Sequence, residues 1–266
     1  MDCSTNIVPT PASLDTLDGS HPTQLEEIRL RDAQAASYAE FIKSHRGKYW
    51  MQAQTGLLLH ALKIRNGLRL YDAAAGVGLY TLEVARRHPT LQILASDFSA
   101  ASLAVLQEQA RQAGVSNIQT QAADITRFCP AEAGFDRVVC LDTIQHLPTP
   151  AARLQALRNF HTLLVPDGLL VLSAYRWGGW IRPPQPKEES NHLGSGLYRM
   201  AFTEEEIATL LQSAGFRHCR VFGIIRLPGR LRKRLPAMLA YPVENMLIQL
   251  GWRKQHAQYV MAVAGK

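Results

Sequence analysis

The sequence predicts an α/β fold in which helices cover both faces of a doubly wound, mainly parallel sheet. From residue 68 onward, short apolar runs alternate with longer runs of helical periodicity. Several short runs, such as FDRVVCLD at 135–142, are apolar throughout, as expected of strands covered on both faces. Strands that alternate with helices are joined by right-handed crossovers, which produce a doubly wound sheet.

The individual elements follow from this alternation. Strands are predicted at 68–74, 91–97, 117–124, 135–142, 169–175, 217–225 and 257–265. Helices are predicted at 80–88, 99–114, 149–164, 202–216 and about 231–251. Ser99 is a predicted N-cap, and Thr203 with Glu206 has the spacing of a capping box. Pro166, Asp167 and Gly168 predict a turn before the fifth strand.

Three further regions complete the predicted organisation. Residues 1–24 are rich in Pro, Ser, Thr and Asp, show no period and predict a flexible leader without the features of a secretory signal. Residues 25–65 contain two helical runs, 25–44 and 48–63, which predict an N-terminal helical cap over the main domain at 66–266. Residues 176–200 form an irregular insertion after the fifth strand, and long insertions of this kind are typical of lids.

Composition excludes several classes of protein. A chain of 266 residues that is 47% hydrophobic and 19% charged is globular rather than disordered. Its four cysteines have no paired or metal-binding spacing, which predicts no metal site and a cytoplasmic setting. No apolar stretch approaches the roughly 20 residues that cross a bilayer.

The net charge of +7 permits an anionic partner without requiring one. Five basic residues lie within 226–234, with no acidic residue among them. Such a run is typical of a solvated surface. If it binds a partner, a phosphate, a carboxylate, a carrier protein or an anionic lipid would fit, and nucleic acid is disfavoured because no recognition module is apparent.

A small-residue loop after the first strand predicts a nucleotide-type site. Asp72-Ala73-Ala74-Ala75-Gly76-Val77-Gly78 joins this strand to the next helix, and small residues let the backbone approach a ligand closely. Asp97 ends the second strand, where a carboxylate can accept hydrogen bonds from ribose hydroxyls. Both features also fit a dinucleotide-binding enzyme. Thr81 stands where the third glycine of a dinucleotide motif is expected, which disfavours that alternative.

The ordered motifs resemble those of class I S-adenosylmethionine-dependent methyltransferases. LRLYDAAAGVGLYTLEVARRHP resembles the first motif of that family. ILASDFS, AADI, FDRVVCLDTIQHL, LRNFHTLLVPDGLLVLSAY and FTEEEIATLLQSAGF resemble its later motifs, in the family's order. The resemblance covers about residues 66–225 and implies a Rossmann-like fold with an antiparallel last strand. One departure is Ala74, where the family often has glycine, and alanine disfavours a positive φ at this position.

The resemblance also implies the cofactor, S-adenosyl-L-methionine, and the residues that hold it. Asp72, Ala73, Ala74, Gly76 and Gly78 would lie along the methionine part of the cofactor. Asp97 would hold the ribose, with Phe98 beside the adenine and Asp124 and Ile125 in contact with it. Leu141 and Asp142 would face the cofactor near the reacting methyl group.

Candidate catalytic and substrate-binding residues lie near this predicted site. His146 follows the fourth strand and is the best candidate base because its pKa suits proton removal near neutral pH. Tyr198 is a second candidate. Aromatic side chains in the cap and insertion favour an apolar or aromatic acceptor, and the tentative substrate-binding residues are Tyr38, Tyr49, Trp50, Trp177 and Trp180.

The sequence therefore predicts methyl transfer to a small organic acceptor, apolar or aromatic and in some cases anionic, as in secondary metabolism. One alternative keeps the cofactor without methyl transfer, as in pericyclase-like chemistry or ligand sensing on the same fold. A further, weaker alternative is RNA methylation. The acceptor, the atom methylated and the oligomeric state, including a homodimer, are left open.

Overall fold

The computed structural model describes residues 22–127, 133–178, 186–192 and 197–266. Seven strands form one sheet: β1 (Arg69–Ala73), β2 (Gln92–Asp97), β3 (Ile118–Ala122), β4 (Phe135–Leu141), β5 (Leu164–Tyr175), β8 (Arg217–Ile224) and β9 (Tyr259–Gly265). β6 (Glu188–His192) and β7 (Leu197–Met200) form a separate hairpin. The eight α-helices of the described residues are α1 (Pro22–His45), α2 (Tyr49–Leu62), α3 (Leu79–Arg87), α4 (Ala100–Gln112), α5 (Pro150–Leu163), α6 (Glu204–Ser213), α7 (Gly229–Arg232) and α8 (Ala240–Gln249).

The seven-stranded sheet has the order β3-β2-β1-β4-β5-β9-β8. Neighbouring strands among the first five pair in parallel. The last strand, β9, is antiparallel to both of its neighbours, β5 and β8. The strand order reverses between β1 and β4, and ligands of open α/β sheets bind at such a reversal. The predicted fold, a Rossmann-like sheet with an antiparallel last strand, is confirmed.

Core packing shows why helices lie on both faces of this sheet. Successive residues of β5 point to opposite faces, so Leu170 and Leu172 pack in the cluster that includes α5 and α6. Val171 between them packs in the cluster that includes α2 and α8. All three side chains are fully buried, which explains why this strand is apolar throughout.

The predicted helix starts at 99 and 203 are confirmed. Ser99 Oγ accepts a hydrogen bond from the backbone N–H of Ser102 at the start of α4 (3.1 Å). Thr203 and Glu206 form the complete capping box at the start of α6, each side chain bonded to the other's backbone N–H. Both signals depend only on neighbouring residues, which is why sequence alone reveals them.

Three elements differ from the sequence-based prediction. The helix predicted over about 231–251 is interrupted, because Pro236 lacks an N–H and separates α7 from α8. The insertion, expected to be irregular, contains the β6–β7 hairpin, whose first strand EESNH is too polar to resemble a buried strand. The predicted turn at 166–168 lies inside β5 as a local irregularity, with Asp167 at a positive φ of 62°.

The two N-terminal helices attach to different parts of the main domain. Asp32 of α1 accepts hydrogen bonds from Ser99 Oγ (2.6 Å) and from the backbone N–H of Ala101 (3.3 Å), at the start of α4. Helix α2 packs against α8, where Gly56 permits close approach because a Cβ at this position would overlap Tyr241. The leader predicted at 1–24 lies almost wholly outside the described residues.

Candidate cofactor and methyl-transfer site

A cavity opens at the carboxyl ends of β1, β2 and β4, beside the reversal in strand order. The space within it, with its open mouth included, amounts to about 910 Å³. Its walls come from the loop after β1, the ends of β2 and β4, and helix α1. The lining residues are Glu27, Arg31, Gln34, Ala35, Tyr38, Asp72, Ala74, Ala75, Gly76, Val77, Leu79, Tyr80, Asp97, Phe98, Ser102, Leu141, Asp142, Thr143 and His146.

The loop after β1 turns through three residues with positive φ. These are Ala74 (65°), Gly76 (55°) and Gly78 (84°). The expectation that alanine would keep position 74 out of this region is wrong, since the loop imposes the conformation in spite of its steric cost. A Cβ at Gly76 would meet no atom within 4 Å, whereas one at Gly78 would overlap Leu106 of α4. Gly76 therefore leaves room, and Gly78 allows close helix packing.

Asp97 fixes the shape of this loop. Its Oδ2 accepts a hydrogen bond from the backbone N–H of Gly76 (2.8 Å), and its Oδ1 accepts one from Ser99 N–H (2.9 Å). Burial raises the pKa of Asp97, and these two backbone hydrogen bonds oppose the rise. One carboxylate thus holds the loop, starts the next turn and lines the cavity.

Asp72, near the carboxyl end of β1, also lines the cavity and is hydrogen-bonded to Thr81. The Thr81 hydroxyl donates a 2.6 Å hydrogen bond to Asp72 Oδ2. Burial raises the pKa of Asp72 to about 6, against the opposing effect of the Thr81 hydrogen bond and with a further rise from the nearby charge of Asp97. Thr81, which the sequence marked only as a missing glycine, thus has a defined partner in the cavity wall.

A smaller adjoining cavity lies beside Phe98 at the ends of β2 and β3. Asp124 and Ile125 line it together with Ile28, Thr143, His146 and Leu147. Asp124 Oδ1 accepts hydrogen bonds from both the N–H and the hydroxyl of Thr126 (2.8 Å each), which fixes the side chain in a local turn. The space therefore has two carboxyl groups in its lining, those of Glu27 and Asp124, and otherwise mainly apolar walls.

Asp142 closes the cavity at the end of β4 with a positive φ of 53°. Gln54 Nε2 donates to Asp142 Oδ2 (3.0 Å), and Ser173 Oγ donates to Oδ1 (2.7 Å). Burial raises the pKa of Asp142, and these two hydrogen bonds oppose the rise. Leu141 lines the cavity next to it. Because Gln54 belongs to α2, the N-terminal cap orients this carboxylate.

Helix α1 supplies the outer wall, which the sequence analysis largely missed. Tyr38 was predicted to face a ligand and lines the cavity, 42% exposed near its mouth. Glu27 and Arg31, one turn apart and 3.3 Å from each other, line it as well. Burial raises the pKa of Glu27 to about 7, although Arg31 opposes the rise. The helical periodicity of α1 could have located Glu27 and Arg31, because both lie next to its buried face at Ile28 and Ala35.

Tyr80 is a second residue that sequence reasoning missed. It lies in the first turn of α3, lines the cavity and is 9% exposed. Its hydroxyl is buried and has no hydrogen-bond partner among the described residues. A buried hydroxyl without a partner is costly in a folded protein, so it indicates a position where a ligand would supply the missing bond.

His146 lines both cavities from the turn after β4. Its Nδ1 lies 2.8 Å from the backbone carbonyl oxygen of Tyr198 in β7. A carbonyl oxygen only accepts hydrogen bonds, so Nδ1 carries the hydrogen and the lone pair of the neutral ring is on Nε2. Tyr198 itself does not line the cavity: its buried hydroxyl donates to Glu188 Oε1 (2.8 Å).

The other predicted substrate-binding aromatics lie away from the described cavity walls. Tyr49 points toward α8, where its hydroxyl donates to Glu244 (3.2 Å). Trp50 packs at the edge of the core. Trp177 is 42% exposed and lies against Lys187, whose Nζ is 5.1 Å from the ring centroid. Trp180 lies outside the described residues.

The part of the chain that the structure describes offers neither a metal-binding cluster nor a helix that could span a membrane. No group of three or more His, Cys, Asp or Glu side chains in the described ranges is arranged to hold a metal ion. None of the helices in those ranges is both long enough and apolar enough to cross a membrane.

Sequence comparison connects this fold with known proteins. Residues 70–168 match the family model described as a methyltransferase domain. An uncharacterized protein of Synechococcus sp. is 33% identical over 108 residues, which cover 40% of this chain and 25% of that protein. A ubiquinone biosynthesis O-methyltransferase of Xanthomonas axonopodis pv. citri is 28% identical over 195 residues, 67% of this chain and 77% of that enzyme.

Comparison of structures gives the same fold. Phosphoethanolamine N-methyltransferase 2 of Haemonchus contortus, in complex with S-adenosyl-L-methionine, superposes with a TM-score of 0.57 at 19% identity. The superposition covers 80% of this chain and 52% of that one. Residues 70–168 therefore carry a methyltransferase domain, and the sheet has the fold of that S-adenosyl-L-methionine-bound structure.

Proposed function

We propose that the protein transfers a methyl group from S-adenosyl-L-methionine to an oxygen of a small, largely apolar or aromatic acceptor. The observation that carries the proposal is the cavity at the ends of β1, β2 and β4, with three carboxylates, Asp72, Asp97 and Asp142, in its walls. Carboxylates favour a ligand that carries positive charge, as this cofactor does on its sulfur and its amino group.

Three features of the cavity fit that cofactor. Gly76 leaves open space beside the loop, so a ligand can approach the backbone. The hydroxyl of Tyr80 has a hydrogen bond left to make. Asp124 uses only Oδ1 in its local turn, so its Oδ2 suits the exocyclic amine of an adenine, with Phe98 and Ile125 against the ring.

The assignment of roles follows the family resemblance and, except for Ala73 and Gly78, the position of each residue in the cavity wall. Asp72 and the loop at Ala73, Ala74, Gly76 and Gly78 hold the methionine part. Asp97 holds the ribose, while Leu141 and Asp142 border the reacting group. When bound, the cofactor supplies an electrophilic methyl group on a positively charged sulfur. The residues of the protein orient the acceptor and exclude water.

His146 is proposed as the general base. The hydrogen bond from Nδ1 to the Tyr198 carbonyl keeps the lone pair of the neutral ring on Nε2. The proton that an acceptor hydroxyl loses as its oxygen gains the methyl group passes to this nitrogen. Tyr198 thus acts as a positioning residue through its backbone. An oxygen acceptor is favoured over nitrogen because the Xanthomonas relative is named a ubiquinone biosynthesis O-methyltransferase.

The acceptor site is proposed at the mouth of the cavity, between α1 and the hairpin. Tyr38 supplies an aromatic surface there, and Arg31 supplies a cation that suits an anionic group on the acceptor. Both belong to the N-terminal helix rather than to the sheet. Since loops and added helices vary more readily than the sheet, they are the natural place for acceptor specificity.

The test is formation of S-adenosylhomocysteine when the purified protein is mixed with the cofactor and a panel of phenolic and other hydroxylated small molecules. Mass spectrometry should detect this product together with an acceptor about 14 Da heavier, because a methyl group replaces the hydrogen of its hydroxyl. For an acceptor so identified, His146→Gln should lower kcat about 100-fold or more. Its matched control is His60→Gln, an exposed histidine on α2.

Two outcomes would contradict the proposal. If an acceptor is consumed without S-adenosylhomocysteine, the protein carries out non-methylating chemistry on the same fold. If His146→Gln has the same kcat as the wild type and the His60→Gln control, His146 is not the general base. Methyl transfer itself would still stand.

A further inference from the structure

The segment from Gly229 to Lys254 forms a surface that the proposed reaction does not use. We call it the α7–α8 surface. Among the described residues, nine large apolar side chains are strongly exposed, and six of them lie here. They are Leu231 (46%), Met238 (82%), Leu239 (41%), Met246 (51%), Leu250 (71%) and Trp252 (45%). Scattered exposed apolar residues are normal, but such a concentration marks a contact surface.

Helix α8 (Ala240–Gln249) is apolar on two sides, which accounts for the exposure of Met246 and of Leu250 at its end. Ala240, Leu247 and Ile248 face the core and are buried against it. Met246 and Leu250, four residues apart, share the opposite, exposed side. A helix that only packed against the core would carry polar residues on that side. The exposed side of α8 therefore has no role in the fold of the domain.

The charge around these apolar side chains has one sign. Arg230, Lys233 and Arg234 are exposed in and after α7, and Lys254 is exposed after α8. The stretch from 226 to 258, which the structure describes in full, has one acidic residue, Glu244. Glu244 is fully buried and accepts hydrogen bonds from the backbone N–H groups of Arg226 (2.8 Å) and Leu227 (3.0 Å). It therefore leaves the surface positive.

Two other cations of the basic run, Arg226 and Arg232, form hydrogen bonds within the protein and are therefore not counted in the exposed charge of the surface. Arg226 is buried and donates to the carbonyl oxygens of Gly223 (2.9 Å) and Leu247 (3.0 Å). Arg232 donates to Gln258 (3.0 Å). The run that the sequence analysis left unassigned thus divides into structural cations and exposed ones, and only the exposed ones are available to a partner.

We infer that the α7–α8 surface docks the protein on an anionic lipid bilayer, with Met246 and Leu250 in the interface and Arg230, Lys233 and Arg234 against the headgroups. Cations beside exposed aliphatic and Trp side chains are the combination that interfacial binding requires. A second copy of this chain fits less well, because it would present the same positive charge to the surface. The contact lies at the bilayer surface, in keeping with an amphipathic docking element.

Vesicle sedimentation with the full chain tests this inference. Wild-type protein should sediment with vesicles of phosphatidylcholine and phosphatidylglycerol (7:3) and stay in solution with phosphatidylcholine alone. Replacing the three exposed cations, in R230Q/K233Q/R234Q, should weaken binding roughly 100-fold. A matched control, R65Q/R86Q/R158Q, removes three exposed cations from other elements and should bind like the wild type.

The apolar contribution is tested with M246S/L250S. These side chains are exposed, so the variant should fold, and its affinity for S-adenosyl-L-methionine should match that of the wild type. Its vesicle binding should fall at least about tenfold. Cofactor affinity also separates this inference from the proposed function, because either can fail while the other stands.

Three results would overturn the inference. The first is that the wild type does not bind the anionic vesicles. The second is that the control triple variant loses as much binding as R230Q/K233Q/R234Q, so that overall charge rather than this surface is responsible. The third is a wild-type dimer by light scattering that M246S/L250S converts to monomer, which would assign the surface to self-association.

Discussion

Three carboxylates at strand ends define the chemistry of the cavity at the scale of single residues. Asp72 and Asp97 are buried and Asp142 is partly buried, and burial raises the pKa of all three. Each is also held by hydrogen bonds from Thr81, from backbone N–H groups, or from Ser173 and Gln54. Desolvation destabilises the charged form of these carboxylates. A cationic ligand bound beside them would offset part of that destabilisation.

If Asp72 binds the amino group of the cofactor as proposed, cofactor binding should depend on pH. For Asp72, a pKa of about 6 means that the carboxylate is charged at pH 7 and largely protonated at pH 5. A bound amino group favours the charged form, so affinity falls as the pH falls through 6. We expect the Kd for S-adenosyl-L-methionine to rise about tenfold from pH 7 to pH 5, as measured by calorimetry.

Asp72→Asn should bind more weakly at pH 7 and lose much of this pH dependence. The control is Asp167→Asn, a conservative change at an exposed residue of β5 that should behave like the wild type. An equally steep pH profile in Asp72→Asn would show that Asp72 is not the group responsible.

Prediction from sequence worked well for some single residues and poorly for others, for a physical reason. Asp72, Asp97 and Asp142 end strands, so the alternation of elements is enough to bring them to one edge of the sheet. Tyr80 and Arg31 occupy helices, and their position in the cavity wall depends on how those helices pack. Ala74 adopts a conformation that local preference argues against, because the surrounding loop imposes it.

At the scale of elements, helix α1 closes the cavity and is held there by a small number of polar contacts. Asp32 bonds to Ser99 Oγ and to Ala101 N–H, at the start of α4. Ser99 is also the N-cap of α4, so one hydroxyl couples the two helices. Because α1 carries Arg31 and Tyr38, loosening it should open the site without unfolding the sheet.

Replacing Asp32 tests this coupling. Asp32→Ala removes both hydrogen bonds, which should speed hydrogen exchange in α1 and increase the dissociation rate of S-adenosyl-L-methionine about tenfold. Glu40→Ala, an exposed acidic residue on the same helix, is the matched control. Unchanged exchange across 26–42 in Asp32→Ala would contradict the role given to this contact.

The elements that sequence could predict are those with local signals or a strong period. The five parallel strands and the capping box of α6 belong to this group. The β6–β7 hairpin does not, because its strands pair mainly with each other and EESNH lacks an apolar face. The division into α7 and α8 was marked by Pro236, although the apolar residues on either side suggested a continuous helix.

At the scale of the whole molecule, the two proposed sites lie on different parts of the sheet. Its carboxyl edge carries the cavity, closed by α1, while α8 covers the sheet near β8 and presents the α7–α8 surface. The doubly wound, mainly parallel sheet could be predicted because strands that alternate with helices obey strict connection rules, and the antiparallel last strand followed from the family resemblance. The contents of the acceptor site could not, because they come from helices and an insertion whose packing no local pattern specifies.

The central claim is that this cavity binds S-adenosyl-L-methionine, and calorimetry on the purified chain tests it most directly. The wild type should bind one equivalent with a Kd on the order of micromolar. Asp97→Asn, which disturbs the carboxylate that holds the loop, should weaken binding at least about tenfold, while Asp167→Asn should not. No measurable binding by the folded wild type, or equal binding by Asp97→Asn, would contradict the account.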